Sequence, residues 1–251
     1  MTHIHGIKGL DGNPSSKGSL YVNSPSTGNY ADYIFEDVID YIDSHYRTYG
    51  DKLHRAVAGG SMGGFGTLYG AMMYPEKFQA AYALSPAISW LELLEISFVI
   101  PLYSAIYGKR KAAILGQKEI DDILDTADLI YAKEYPLLPT IQRDNQRKIL
   151  SVDEKAKDLW MQWDLKLLAK THADALKSVY LGISCEEQDE YQFTPQIRAF
   201  QKTLEELDIP CQFNFNDDSY AAKSSPHSVG IAQQVLDSLT FCAQHFPNDH
   251  S

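Results

Sequence analysis

Short apolar runs alternate with amphipathic stretches along this chain, which is the pattern of an α/β protein. Between residues 30 and 46, Ile34, Val38 and Ile42 recur on one face while acidic residues occupy the other, so a helix is predicted. Apolar runs predict strands at residues 54–58, 78–84, 179–184 and 211–215, with helices over 62–73, 195–208 and 229–246. Because strand, helix and strand follow one another at crossover spacing, the sheet should be parallel.

One long segment, residues 88–173, interrupts this alternation. Strand-like runs vanish there and helical patterns dominate, which predicts a helical insertion (a lid or cap) within a single domain spanning residues 1–251. About 85 residues are too many for an ordinary loop. After the insertion the alternation resumes, and Thr194 is the expected N-cap of a helix that begins at Pro195.

Composition narrows the classes of partner. The formal net charge of −11 disfavours nucleic acid and anionic membrane surfaces. The three cysteines (Cys185, Cys211 and Cys242) form no paired motif, so we expect buried free thiols, with no disulfide framework and no zinc site. No apolar run reaches transmembrane length and no signal peptide is visible, so a cytoplasmic location is expected if the N-terminus is native.

The most informative motif is Gly59-Gly60-Ser61-Met62-Gly63-Gly64, which stands between a predicted strand and a predicted helix. A Gly-x-Ser-x-Gly sequence in that setting is typical of a nucleophile elbow. The serine sits on a tight, strained turn, and side chains two residues to either side would collide with the neighbouring elements. A glycine-rich loop beside the sheet is the alternative interpretation.

Ser61 needs a base, and the base needs an orienting carboxylate. In α/β hydrolases these follow in the order serine, acid, histidine, each at the C-terminal end of a strand. That order leaves His227 as the expected base, in the loop of residues 217–228 before the last helix; a solvated surface histidine is the plainer alternative.

The acid is expected directly after the strand at residues 179–184, where four carboxylates occur in the sequence Glu186-Glu187-Gln188-Asp189-Glu190. Asp189 is the preferred candidate, with Glu187 and Glu186 as alternatives. Asp217 and Asp218 are on the loop of the histidine and are more simply turn residues.

An oxyanion hole requires two backbone N–H donors. The N–H of Met62 is one by its position, directly after the nucleophile and at the positive end of a helix. Glycine-rich candidates for the second donor are His5-Gly6 and residues 9–12.

These residues resemble the putative esterase family, which includes esterase D (S-formylglutathione hydrolase), feruloyl esterases and the mycolyltransferases. The resemblance is specific over residues 18–86, through the run Gly18-Ser19-Leu20-Tyr21-Val22-Asn23-Ser24 and the serine motif. It resumes more loosely from residue 180, where Asp189 lies in a segment similar to the family's acid loop and His227 matches the catalytic histidine. The resemblance implies an α/β-hydrolase fold with a triad of Ser61, Asp189 and His227.

Family members usually place several strands and the oxyanion loop before the segment that begins here at Gly18. Seventeen residues precede Gly18 in this chain, so we expect either a truncated product or a shortened fold, in both cases without the early strands. A four-stranded sheet would then have an uncovered edge, which favours a homo-oligomer.

The sequence therefore predicts a serine esterase that hydrolyses small carboxylic (or thio) esters through an acyl-enzyme on Ser61, without a metal or an organic cofactor. The helical insertion should cover the mouth of the site, where Trp160 and Trp163, one helical turn apart, either wall an acyl pocket or anchor the insertion's own core. An acyltransferase with the same residues and a catalytically impaired hydrolase-fold binding protein are the alternatives.

Overall fold

The structure is a computed structural model, and it describes residues 20–24, 28–89, 141–143, 149–152, 158, 160–189, 191–217 and 226–247. The chain divides into two compact units, Met1–Tyr30 with Ser89–Asp164, and Ala31–Ile88 with Leu165–Ser251. The second unit contains Ser61, Asp189 and His227, whereas Trp160 and Trp163 belong to the first.

Among the described residues, the strands in chain order are β1 (Asn23–Ser24), β2 (Gly28–Asn29), β3 (Ala56–Gly60), β4 (Ala80–Leu84), β5 (Ile141–Arg143), β6 (Ile149–Val152), β7 (Tyr180–Glu186) and β8 (Gln212–Asn216). The helices are α1 (Tyr30–Asp32), α2 (Val38–His45), α3 (Met62–Met73), α4 (Leu165–Thr171), α5 (Ala173–Lys177), α6 (Phe193–Glu206) and α7 (Pro226–Gln244). A π-helical segment, Tyr33–Asp37, joins α1 to α2, and a 3-10 turn, Lys52–His54, precedes β3.

Strands β3, β4, β7 and β8 form one parallel sheet in that order. Strand β4 is buried along its whole length, as expected of an inner strand covered by helices. Helix α3 packs against β3 and β4, and α7 packs against β4 and β7. The parallel α/β sheet expected from the sequence is therefore confirmed.

Element boundaries follow the predicted ones closely, with two exceptions at helix starts and with the helix predicted over residues 30–46 divided by the π-helical segment Tyr33–Asp37. Helix α3 covers residues 62–73 as predicted, and the sheet strands begin one or two residues later than the apolar runs. The N-cap prediction for Thr194 is wrong, because α6 begins at Phe193 and the Thr194 hydroxyl donates instead to the Glu186 carbonyl at 2.7 Å. Helix α7 begins at Pro226, so His227 lies in its first turn and not in the loop before it.

The segment predicted to be a helical insertion is described only in part. Strands β5 and β6 pair with each other in antiparallel orientation within it, so the expectation of a wholly helical insertion is wrong at these residues. Their sequences contain the β-branched Ile141, Ile149 and Val152, and short apolar runs of this kind do not distinguish strand from helix. Trp90 and most of residues 90–157 lie outside the described residues.

Strand β3 is an edge of the sheet, since β4 is the one strand paired with it within the described part of the chain. Ala58, in the middle of β3, is exposed. The neighbouring helix α2 has the amphipathic sequence predicted for it but buries none of its residues; Ile42 is 39% exposed, and Tyr46, just after the helix, is 62% exposed. Asp43 of α2 forms an ion pair with Arg55, the residue before β3, so the helix with its half-exposed apolar face lies beside the start of this uncharged edge strand.

Helix α7, at 19 residues, is the longest described helix, and neither it nor any other in the described ranges is apolar enough over sufficient length to cross a membrane.

Candidate active site

Ser61 lies on the turn between β3 and α3 and has backbone angles φ 57° and ψ −117°. Non-glycine residues rarely adopt such a backbone, and it persists only where the surroundings impose it. Here the Ser61 N–H donates to the Leu84 carbonyl of the adjacent strand at 2.8 Å, and the Ser61 carbonyl accepts the Phe65 N–H at 3.1 Å. The strained turn is therefore held from both sides, by the sheet and by the first turn of α3.

Close packing explains the glycines of the motif. A Cβ placed on Gly59 would lie 2.4 Å from the Gly63 carbonyl oxygen, and one on Gly64 would lie 2.9 Å from Pro86 Cα. Both contacts are with backbone atoms, which cannot move aside as a flexible side chain could. The helix can therefore start directly behind the strand only if these positions carry no side chain.

Asp189 lies in the turn between β7 and α6, and its two carboxylate oxygens have different partners. Oδ1 accepts the backbone N–H of Tyr191 at 2.9 Å and that of Phe193, the first residue of α6, at 3.5 Å. Oδ2 faces the His227 imidazole. These bonds hold the backbone of the turn before α6 and of the helix's first residue, much as a capping side chain does.

His227 Nδ1 and Asp189 Oδ2 are 2.7 Å apart. Both side chains are almost fully shielded from solvent, with 6% and 0% of their surfaces exposed. An ionised carboxylate can only accept, so the hydrogen bond requires a proton on Nδ1 and, in the neutral ring, leaves Nε2 as the basic nitrogen. The structure thus brings together Asp189 and His227, two of the three side chains that the sequence singles out. Their hydrogen bond leaves the other ring nitrogen, Nε2, as the proton acceptor.

Aromatic rings surround the imidazole of His227. Tyr191 lies edge to face with it at a centroid distance of 4.4 Å, and Phe193 does so at 5.3 Å. Neither residue has a role predicted from sequence, although aromatic residues two and four positions after the candidate acid are a usable signal. These rings restrict the rotation of the imidazole and exclude water from its hydrogen bond with Asp189.

Cys185 lies behind the carboxylate, with Sγ 3.9 Å from Asp189 Oδ2 and 3.4 Å from Thr194 Oγ1. Burial, together with the nearby charge of Asp189, raises the pKa of the Cys185 thiol to about 12. The thiol therefore stays protonated at neutral pH and is a weak hydrogen-bond donor toward Asp189 Oδ2.

The alternative acids have other partners. Glu187 forms an ion pair with Arg198 of α6, and Glu186 bonds to Gln234 and Asn216. Asp217 is exposed at the end of β8, and Asp218 lies outside the described residues. In the described structure the contact with His227 Nδ1 is made by Asp189.

Met62 is the first residue of α3, a position whose backbone N–H has no acceptor within the helix. Candidates for a second oxyanion donor, His5-Gly6 and residues 9–12, lie outside the described residues.

Trp160 is buried, with 1% of its surface exposed, and Trp163 is half-buried in the turn that follows it. The described residues contain no group of three His, Cys, Asp or Glu side chains arranged to hold a metal ion.

Comparison with solved structures identifies the fold. The chain is similar to a ferulic acid esterase (20% identity, TM-score 0.55), to an S-formylglutathione hydrolase from Staphylococcus aureus (18%, 0.54) and to a capsule O-acetyltransferase of Neisseria meningitidis serogroup A (12%, 0.52). These matches cover 90%, 89% and 94% of this chain, but 65%, 67% and 72% of the other chains. The chain thus has an α/β-hydrolase fold and spans about two thirds of the length of the first two structures.

No curated protein is similar enough in sequence to match the chain. The family comparison, in contrast, matches residues 18–227, which include the Ser61 turn, the Asp189 turn and His227, to the family described as Putative esterase. On that match over most of its length, the chain belongs to the Putative esterase family.

Proposed function

We propose that the protein is a serine esterase that hydrolyses small carboxylic or thio esters through an acyl-enzyme on Ser61. The observation that carries the proposal is the buried hydrogen bond between His227 and Asp189, in the same unit as a serine held in a strained strand-to-helix turn. A nucleophile, a base and an orienting acid are the three groups that acyl transfer by a serine requires.

The course of helix α7 supports a position of His227 beside Ser61. The helix runs antiparallel to β7, because Gly230 lies against Glu186 at the end of that strand while Phe241 lies against Gly182 near its start. Ile231 contacts the residue before the serine, since a Cβ on Gly60 would lie 2.8 Å from Ile231 Cγ2. His227 is four residues earlier in the helix, about 6 Å further toward the edge of the sheet where Ser61 lies.

In the proposed reaction, Ser61 Oγ attacks the acyl carbonyl carbon while His227 Nε2 accepts the hydroxyl proton. Asp189 keeps the Nδ1 proton in place and stabilises the imidazolium. The tetrahedral intermediate collapses, and His227 returns the proton to the departing alkoxide or thiolate. A water molecule then attacks the acyl-enzyme with His227 again as base, which releases the acid and restores Ser61.

The developing negative oxygen would be bound by the Met62 N–H at the positive end of α3. The role of Trp160 and Trp163 in acyl binding stays a prediction, and the full burial of Trp160 would also suit a residue that packs within its own unit. The chemistry needs no metal or organic cofactor, because a serine, a histidine and a carboxylate suffice for acyl transfer.

The same residues would serve an acyltransferase, with an alcohol in place of water as the second acceptor. The similarity to a capsule O-acetyltransferase, which is a likeness of fold, keeps this candidate open. Ester turnover in the presence of added alcohols separates the two, since a transferase forms a new ester and a hydrolase releases the free acid.

A fluorophosphonate probe should label the protein at one site, with a stoichiometry near one, and peptide mapping should locate the adduct on Ser61. The reason is that Ser61 alone among the serines is proposed to stand next to a general base. Labelling of Ser61→Ala serves as the control and should be lost. An unlabelled wild-type protein would instead favour a catalytically impaired binding protein.

We also propose that the exposed side formed by β3 and α2 associates with a second copy of the chain. An edge strand without charged or proline residues can pair with its own copy across a two-fold axis, and this would also cover the apolar face of α2. Light scattering should show a mass that rises with concentration toward a dimer. Ala58→Lys should shift it toward the monomer, whereas a monomeric wild-type protein at high concentration would contradict the proposal.

A further inference from the structure

Glu186 is a buried carboxylate that the proposed reaction does not use. It ends strand β7 and is 2% exposed. Its Oε1 accepts hydrogen bonds from Gln234 Nε2 at 3.1 Å and from Asn216 Nδ2 at 3.3 Å. Fully buried glutamates are rare unless paired, because removing a carboxylate from water costs several kcal/mol.

The side chain of Glu186 lies directly against the helix that carries His227. A Cβ on Gly230 would be 2.2 Å from Glu186 Cγ and 2.8 Å from its Oε1, so only a glycine allows this approach. Gly230 is three residues after His227, and Gln234 is one turn further along the same face. Gln234 is itself fully buried, and its Oε1 accepts the Ser184 hydroxyl at 2.7 Å.

The backbone of Glu186 holds the other member of the pair. Its carbonyl accepts the Asp189 N–H at 3.1 Å, which closes the turn carrying the acid. The same carbonyl accepts the Thr194 hydroxyl at 2.7 Å, which ties the start of α6 to the end of β7. One residue is thus bonded through its main chain to the Asp189 turn and through its side chain to the His227 helix.

We infer that Glu186 is a positioning residue that fixes the His227 helix relative to the Asp189 turn, an inference that rests on the proposed function. The described hydrogen bonds of its carboxylate are with Gln234 and Asn216, not with the reacting groups of the proposed mechanism. Its carboxylate acts through Gly230 and Gln234, within about two turns of His227. A misplacement of catalytic groups by about 1 Å can reduce turnover by about a hundredfold, so a contact of this kind has a measurable effect on rate.

The neighbouring Glu187 supplies a matched control. It is the same residue type one position closer to Asp189, but it pairs with Arg198 on α6. Glu186→Ala should lower kcat by about 10- to 100-fold with KM changed less than about twofold. Glu187→Ala should leave both constants near the wild-type values. Glu186→Gln should recover most of kcat, because its amide oxygen can still accept the bonds from Gln234 and Asn216.

A second readout separates positioning from general stability. The proton shared by His227 Nδ1 and Asp189 should give a low-field NMR resonance in the wild-type protein. Glu186→Ala should broaden or abolish that resonance, and Glu186→Gln should retain it. A lower melting temperature with an unchanged resonance and unchanged kcat would show a purely structural role and overturn the inference.

If Glu186→Ala does not fold, Gln234→Met tests the same contact from the helix, since it keeps the side-chain volume but removes the amide. The expected result is again a loss in kcat with little change in KM. Wild-type kcat and an intact resonance in a folded Gln234→Met would contradict the inference. Failure of the proposed function can be told apart from failure of this inference. If the proposed function is wrong, the wild-type protein itself would neither react with the fluorophosphonate nor hydrolyse esters.

Discussion

Ser61→Ala should reduce the hydrolysis of a p-nitrophenyl short-chain ester by about 10⁴- to 10⁶-fold, since the proposed acyl-enzyme forms on the Ser61 hydroxyl. The melting temperature should change little. Alanine at this position keeps the same strained backbone, and the described hydrogen bonds of Ser61 are made by its backbone N–H and carbonyl. Initial rates of ester cleavage and a thermal melt on the same samples measure both quantities.

Ser85→Ala is the matched control for this variant. Ser85 follows the next strand, β4, also has a positive φ of 42°, and is fully buried. It should keep most of the esterase rate. A Ser61→Ala protein that retains more than about a tenth of the wild-type rate would exclude Ser61 as the nucleophile.

Asp189→Asn should lower kcat by about 10³- to 10⁴-fold while the protein remains folded. The asparagine oxygen can still accept the Tyr191 N–H, so the turn before α6 is preserved. Its NH₂ group, however, would donate to His227 Nδ1 and thereby move the ring proton to Nε2, where the imidazole can no longer accept the serine proton. Steady-state kinetics, with circular dichroism to confirm folding, measure this effect.

Asp217→Asn is the corresponding control, because Asp217 is a carboxylate that precedes His227 in the chain, is interpreted from sequence as a turn residue, and is exposed at the end of β8. It should behave as the wild-type protein does. If Asp217→Asn were the inactive variant and Asp189→Asn lost less than tenfold, the acid would be wrongly assigned although the nucleophile and base would stand.

The parts of this site that sequence could predict are those fixed locally or by chain order. Glycines on each side of Ser61, between an apolar run and a helix, predict the turn. They do so because the close contacts of the turn are mainly between residues that are near one another in the chain. His227 follows from its place after the last strand, and Asp189 from its place after β7. These inferences use only the direction of the chain through a parallel sheet.

The parts that sequence could not predict depend on contacts between distant segments. Thr194 has the sequence of an N-cap, but a tertiary bond to Glu186 takes its hydroxyl, and Asp189 provides the bonds to the first N–H groups instead. The burial of Glu186 depends on Gly230, in a different element. For the amphipathic helix α2, the periodicity of the sequence predicts that a helix forms, but it does not predict what covers the apolar face of that helix.

The two oxygens of Asp189 have different partners, and this has a consequence for how the proposed activity would return after denaturation. The Oδ1 bonds close within a few residues and can form as soon as β7 and α6 meet, whereas the Oδ2 bond must await a histidine 38 positions later in the chain. Contacts of long sequence separation are slow to form, because a large loop must be closed first. Recovery of esterase activity during refolding would therefore mark the docking of the C-terminal helix, after secondary structure is already established.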